Sequence, residues 1–195
     1  MGLLMLVNVF PPLGGGTGTI NKLLLDRWGT DQELDIDLIT SARGKTAENE
    51  QFAERIRIFK VPVRNRNIHH STHRELLTYG FRALRFAKKR CRDQHYDLVF
   101  AWSVVPAGWV AWRLSRLRAL PYVVRVCGPD IPGYERRHKW IYPILTPAIR
   151  RIWREAQAVI VKCEAERARI AEIEPTVRFA VIPNGVDTEA FTPGE

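Results

Sequence analysis

Cysteine is scarce in this 195-residue chain, and Cys91, Cys127 and Cys163 form neither a CxxC pair nor a ligand-like cluster with histidine. An odd, widely spaced set fits a reducing compartment better than a disulfide framework, and no metal is expected. Long apolar runs are also missing. The longest, residues 98–112, covers about 15 residues, carries Pro106 and Gly108, and is too short to span a bilayer. Residues 1–10 lack a basic flank and a small-residue cleavage site, so they read as a strand rather than a signal peptide. The chain therefore reads as cytoplasmic, with peripheral contact at the inner membrane face left open. Acidic residues are the third shortage: 21 Asp and Glu face 30 Lys and Arg, a net charge of +9. Such a surface favours an anionic partner, whether nucleic acid, an anionic membrane or a phosphorylated small molecule, and charge alone does not choose among them.

What is present is an ordinary globular composition, 46% apolar and 26% charged, with length for one sizeable core. Strand-like runs alternate with helical patterns. Strands are predicted at residues 3–9, 34–40, 55–61, 96–101, 121–126, 156–161 and 177–182, with a polar loop leading to the third. Helices are predicted near 18–28, from Thr72 onward, and near 105–117, 140–155 and 163–173. Thr72 and Glu75 match the S/T-x-x-E capping box ahead of Leu76 and Leu77. This alternation implies βαβ units in a doubly wound, mostly parallel Rossmann-like α/β sheet, with strand order 3-2-1-4-5 and onward. Ligands then bind where the order reverses, at the carboxyl ends of the strands. The loops to read are residues 10–19, 102–106, 127–134, 162–164 and 183–187.

The first of these loops is Pro11-Pro12-Leu13-Gly14-Gly15-Gly16-Thr17-Gly18-Thr19. Its glycines let backbone approach a ligand, and the helix start offers free N–H groups to an anion. A flexible turn that binds nothing is the competing reading. The dinucleotide fingerprint G-x-G-x-x-G fails in every register, because Thr19 or Asn21 falls at the last position. The second strand also ends Ile39-Thr40-Ser41, without the acid that holds a ribose. A P-loop at Gly44-Lys45-Thr46 fails too, since its first glycine would fall at Ile39.

With these readings in hand, the chain resembles the retaining glycosyltransferases of family four, which have the GT-B fold. Four segments carry the likeness: the first strand with Phe10-Pro11-Pro12 and Gly14–Gly16; Tyr96-Asp97-Leu98-Val99 leading to Trp102-Ser103; Val126-Cys127-Gly128-Pro129-Asp130-Ile131-Pro132; and Val181-Ile182-Pro183-Asn184-Gly185-Val186-Asp187 with Phe191 and Pro193. The resemblance spans the whole chain and about half of a family member. It implies an acceptor-side domain over residues 1–183, with 184–195 opening the linker to a donor-binding domain that this sequence does not contain. It also implies sugar transfer from a nucleotide-sugar, with retention and without a metal or other cofactor, to a glycan or lipid-linked acceptor. The donor would be shared with a C-terminal domain or partner chain, and the chain alone would show little or no activity.

The glycine loop suits the leaving diphosphate, because N–H groups at a helix start stabilise developing negative charge. Gly14, Gly15, Gly16 and Thr17 are its candidate binding residues. Trp102, Gly128, Lys162, Glu164 and Asn184 join them from the other strand ends. Many family members carry a histidine where this chain has Cys127, and another roughly where it has Trp102. Cys127, Asp130 and Ser103 are the candidates for the catalytic contact. The competing readings are a core cysteine, a pocket-wall tryptophan, and a turn or capping role for Asp130. These missing histidines keep alive a non-catalytic module that binds a glycan or phosphorylated ligand.

On the helix after Thr72, Arg82, Arg85, Lys89 and Arg92 recur at spacings of three and four, beside Leu77, Phe81 and Leu84. Further basic groups lie at Arg113, Arg116 and Arg118, at 136–139, and at Arg150, Arg151 and Arg154. A solvated face is one reading; docking on an anionic membrane, where lipid-linked acceptors reside, is the other. Nucleic acid is not expected as a partner, since the aromatics sit inside apolar segments and no reader motif is present.

Overall fold

The apolar run of the first strand needs cover on both faces, and the fold supplies it. The structure, a computed structural model, describes residues 1–68, 71–135 and 140–185. In chain order the elements are β1 (Gly2–Val7), α1 (Gly16–Trp28), β2 (Asp35–Ala42), β3 (Glu48–Ala53), β4 (Ile56–Pro62), α2 (His73–Asp93) and β5 (Leu98–Trp102). A π turn (Val104–Gly108), α3 (Trp109–Arg118), β6 (Tyr122–Arg125) and a 3-10 turn (Gly128–Asp130) follow. The described chain finishes through α4 (Tyr142–Glu155), β7 (Ala158–Val161), α5 (Glu164–Ile173) and β8 (Phe179–Val181).

The sheet has eight strands in the order β3-β4-β2-β1-β5-β6-β7-β8. All neighbours are parallel except the edge pair β3–β4. Setting β3 aside, this is the doubly wound order anticipated from the sequence. The polar loop predicted before the third strand is partly a strand. Glu48-Asn49-Glu50-Gln51 carries no apolar alternation because it is an exposed edge, held by backbone pairing to β4.

Alternate residues of β1 feed two separate cores. Leu4 and Leu6 join Val99, Ala101, Val124 and Val159 beneath α2, α3 and α4 through Tyr79, Leu114, Ile152 and Trp153. Leu3, Met5 and Val7 join Ile36, Leu38, Ile56 and Ile58 on the opposite face, where α1 supplies Leu25. The capping box forms as its sequence signature requires. Thr72 Oγ1 accepts from the Glu75 N–H at 3.3 Å, and Glu75 Oε2 accepts from the Thr72 N–H at 2.7 Å.

A polar network buried in this sheet has no counterpart in the sequence reading. Asp37 is fully buried and accepts hydrogen bonds from Arg57 at 2.6 Å, from Arg90, and from the Tyr96 hydroxyl. It thereby joins β2, β4, the end of α2 and the approach to β5. Among the described residues no helix is long and apolar enough to cross a membrane.

Candidate functional site

The strand order reverses between β1 and β5, so the loops after β1, β5, β6 and β7 meet at one end of the sheet. The loop after β1 reaches α1 through Gly14, whose φ of +123° suits glycine and whose N–H donates to the Ile68 carbonyl at 2.6 Å. The α1 start has no side-chain cap at Gly15. Around Gly15 and Gly16 a Cβ would meet nothing within 4 Å, whereas at Gly18 it would lie 3.1 Å from the Leu13 carbonyl oxygen. The glycines thus divide into two that leave open space and one that permits close packing of the turn.

Across from this helix start stand β6 and the turn that follows it. Thr17 Oγ1 lies 3.9 Å from Cys127 Sγ. Burial, reinforced by Asp130, pushes the Cys127 thiol up to about 12, so it stays protonated and serves as a weakly polar wall rather than a thiolate nucleophile. Arg125 is buried at the end of β6, with its guanidinium carbon 4.9 Å from the ring centre of Trp102. It donates to the Ile182 carbonyl at 3.2 Å and to the Asn184 side-chain oxygen. Burial lowers its pKa from the ordinary arginine value.

Lys162, after β7, pairs with Glu166 at 3.0 Å, and that hydrogen bond raises its pKa. Its ammonium also interacts with Cys127, which places it on the same side of the crevice. Glu164 is exposed and pairs with Arg167 on its own helix at 2.9 Å, so no contact draws it toward Lys162 or Cys127. Gly128 serves packing instead, since a Cβ there would lie 2.8 Å from the Tyr134 ring.

Asp130 holds two loops together. Its carboxylate accepts from the Cys127 N–H at 2.9 Å and from the N–H groups of Val104 and Val105 in the π turn. Burial dominates its titration and pushes the carboxyl up to about 7, while the backbone donors pull the other way. Ser103 carries a φ of +89° and ψ of 149°, a conformation favouring glycine, and its buried hydroxyl has no hydrogen-bond partner among the described residues. The Trp102 indole nitrogen is likewise buried without one.

The structure therefore brings Thr17, Cys127 and Lys162 together beside the open glycine turn, and ties the core residue Trp102 and Asn184 to them through Arg125. Asp130 and Ser103 stand behind them as part of the loop framework, and Glu164 lies outside. Arg82, Arg85, Lys89 and Arg92 sit elsewhere, on α2. Of the linker motif, residues 186–195 lie outside the described residues, as does the basic cluster at 136–139. Sequence reasoning missed Arg125 and Glu166, both buried. The signal for Arg125 was a lone charge inside the apolar strand Tyr122-Val123-Val124-Arg125-Val126.

The profile of a family described as glycosyl transferase 4-like domain matches residues 15–185. The chain belongs to the glycosyl transferase 4-like family. Solved structures with the same fold include sucrose-phosphate synthase from Thermosynechococcus elongatus, with a TM-score of 0.82 and 14% identity over 100% of this chain and 50% of that one. The α,α-trehalose-phosphate synthase (UDP-forming) from Burkholderia vietnamiensis aligns with a TM-score of 0.56 and 12% identity over 96% of this chain and 48% of its own. UDP-GlcNAc 2-epimerase from Neisseria meningitidis bound to UDP-GlcNAc gives 0.55 and 11%, over 93% and 45%. No curated protein gives a significant match. This glycosyl transferase 4-like domain spans about half the length of the solved structures it resembles. At such low identity those structures establish the fold, while the family profile carries the membership.

Proposed function

We propose that this domain is the acceptor-side half of an enzyme that transfers a hexose from a nucleotide-sugar to a glycan or lipid-linked acceptor, with retention of anomeric configuration. One observation carries the reading: the uncapped start of α1, with open space over Gly15 and Gly16, faces the side of the crevice formed by Thr17, Cys127, Arg125 and Lys162. Backbone N–H groups and the positive helix end there suit a leaving diphosphate, and the missing side chains let it come close. Arg125 and Lys162 add positive charge behind the same wall. A donor-binding partner, downstream in the same polypeptide or on another chain, supplies the remaining grip on the nucleotide, so residues 1–185 alone bind ligand without turning it over. No metal is assigned a role.

The test is sugar transfer by the native gene product with a panel of nucleotide-sugars, and NMR of the product to read its anomeric configuration. Transfer with an α-linked product from an α-linked donor supports the proposal. A β-linked product overturns retention. Saturable glycan binding with no turnover of any nucleotide-sugar favours instead a non-catalytic binding module, the reading to which the protonated Cys127 thiol lends weight.

A further inference from the structure

Many described cations of this protein have a carboxylate beside them, while a dense cluster on one helix does not. Arg55, Arg57, Arg90, Arg150, Arg151, Arg154 and Lys162 are all in ion pairs. On α2, by contrast, Arg82, Arg85, Lys88, Lys89 and Arg92 have no ion pair among the described residues, and between Glu75 and Asp93 the helix carries no acid. These five cations, with Lys60 of β4, line a groove of about 750 Å³ between α2 and the β3–β4 edge. Only Lys60 is compensated, by Glu50 at 2.9 Å and Glu48 at 3.6 Å. The groove floor is apolar, with Phe59, Leu84 and Phe86.

The same helix exposes apolar surface. Leu77 is 61% and Phe81 64% exposed, in the second and third turns of α2. At about 100° per residue, Arg74, Leu77, Phe81, Arg85, Lys88 and Arg92 share one stripe, opposite the buried stripe of Glu75, Tyr79, Ala83 and Ala87. Apolar groups in the middle of an uncompensated cationic stripe are the pattern of a helix lying in an interfacial plane: rings and branches enter the acyl boundary while cations meet phosphate headgroups. Phe81 meets the Trp109 ring edge-on at 5.6 Å yet stays largely exposed, and a purely solvated face does not call for it and Leu77 among so dense a cluster of cations. A nucleic-acid groove gives the exposed Leu77 no role.

We infer that α2 and the groove beside it dock on an anionic phospholipid surface, with Leu77 and Phe81 inserted and Arg82, Arg85, Lys88, Lys89 and Arg92 on headgroup phosphates. The position suits the crevice. The loop between β4 and α2 rests on the glycine turn through the Gly14–Ile68 hydrogen bond, so the apolar turns of α2 are those nearer the crevice. This inference stands whether or not the chain transfers sugar.

Vesicle co-sedimentation tests it with the purified chain. Binding is expected to vesicles mixing phosphatidylglycerol into phosphatidylcholine, to be absent with phosphatidylcholine alone, and to weaken with salt. The double variant Arg85→Glu/Lys89→Glu should lose at least about thirty-fold in partition, at roughly fivefold for each cation removed. Leu77→Ser/Phe81→Ser, which leaves charge untouched, should weaken binding severalfold. Circular dichroism on each variant separates loss of binding from loss of fold. Equal binding to both vesicle types overturns the inference. So does unchanged binding by the serine variant, or tighter binding to duplex DNA than to the anionic vesicles, since either makes the face a general polyanion site.

Discussion

The guanidinium carbon of Arg125 lies 4.9 Å from the ring centre of Trp102, across two neighbouring parallel strands. The cation lies against the aromatic ring while its nitrogens hold the Ile182 carbonyl and Asn184. One side chain thus fixes the wall of the crevice and the start of the segment leaving the sheet. Replacing Arg125 with Lys keeps the charge but loses the planar fork and the ring contact. The expected cost is about 1–2 kcal/mol in urea unfolding, by the loss of a charge-assisted hydrogen bond and a partly desolvated cation–π contact. A lysine variant as stable as the parent would show that the fork holds nothing.

Two glycines of one loop should respond in opposite ways. Gly18→Ala places a methyl 3.1 Å from the Leu13 carbonyl oxygen and should destabilise by about 1–2 kcal/mol, as overpacking does. Gly16→Ala meets open space, so thermal unfolding should move by no more than about 0.5 kcal/mol. On the proposed reading the same methyl would stand in the path of the diphosphate, and kcat/KM of the native enzyme should fall about a hundredfold, as when an oxyanion donor is removed. Melting curves and steady-state kinetics on both variants check the contrast. A Gly16 variant with full activity would remove the loop from the chemistry.

Much of this arrangement was legible in the sequence because it rests on local pattern. β1 could be read because all its apolar positions are covered on both faces, and the α2 start because Thr72 and Glu75 satisfy each other within one turn. The glycine loop was legible from position alone. β3 was not, since an exposed antiparallel edge is specified by pairing to β4 rather than by any apolar alternation. Asp37 sits between Ile36 and Leu38 and reads as a solvent-facing residue of an alternating strand. It is buried because Arg57, Arg90 and Tyr96 converge on it from three remote segments. Asp130 was legible as a turn residue, but its grip on the Val104 and Val105 N–H groups depends on β5 and β6 being neighbours.

Asp130 gives the fold a pH dependence with a definite sign. Its folded pKa, pushed up to about 7 by burial, exceeds the ordinary aspartate value of 3.8. Ionisation therefore disfavours the native state, and stability contributed by the protonated form is lost as pH rises between about 4 and 7. Glu174 acts in the opposite sense. Hydrogen bonds from Arg154 and Thr176, with a further one from Arg150, hold it down at about 2, so its contribution is lost as pH falls below about 4.5. From these two groups alone, stability should accordingly peak at about pH 4 to 4.5, where the windows meet. In chemical unfolding across pH 4 to 7, Asp130→Asn should flatten the decline. Equal slopes for the variant and the parent would place the titration elsewhere.

The buried carboxylate of Asp37 sets the largest stability effect to be expected outside the apolar core. Its oxygens face Arg57 at 2.6 Å, Arg90 at 2.6 Å and the Tyr96 hydroxyl, and the residue is wholly out of solvent. Holding two guanidinium groups this close together in the sheet is tolerable only with an anion between them. Asp37→Asn removes that charge with little change in shape, leaving Arg90, whose side chain is only 19% exposed, without its counterion. The expected cost is about 3–5 kcal/mol in equilibrium unfolding, the penalty for breaking a buried pair. Asp37→Asn/Arg90→Leu should recover part of it, because the second change removes the stranded cation and offers the neighbouring Phe59 an apolar partner. If the double variant is no more stable than the single one, the cost lies in lost connection between β2 and α2 rather than in an uncompensated charge.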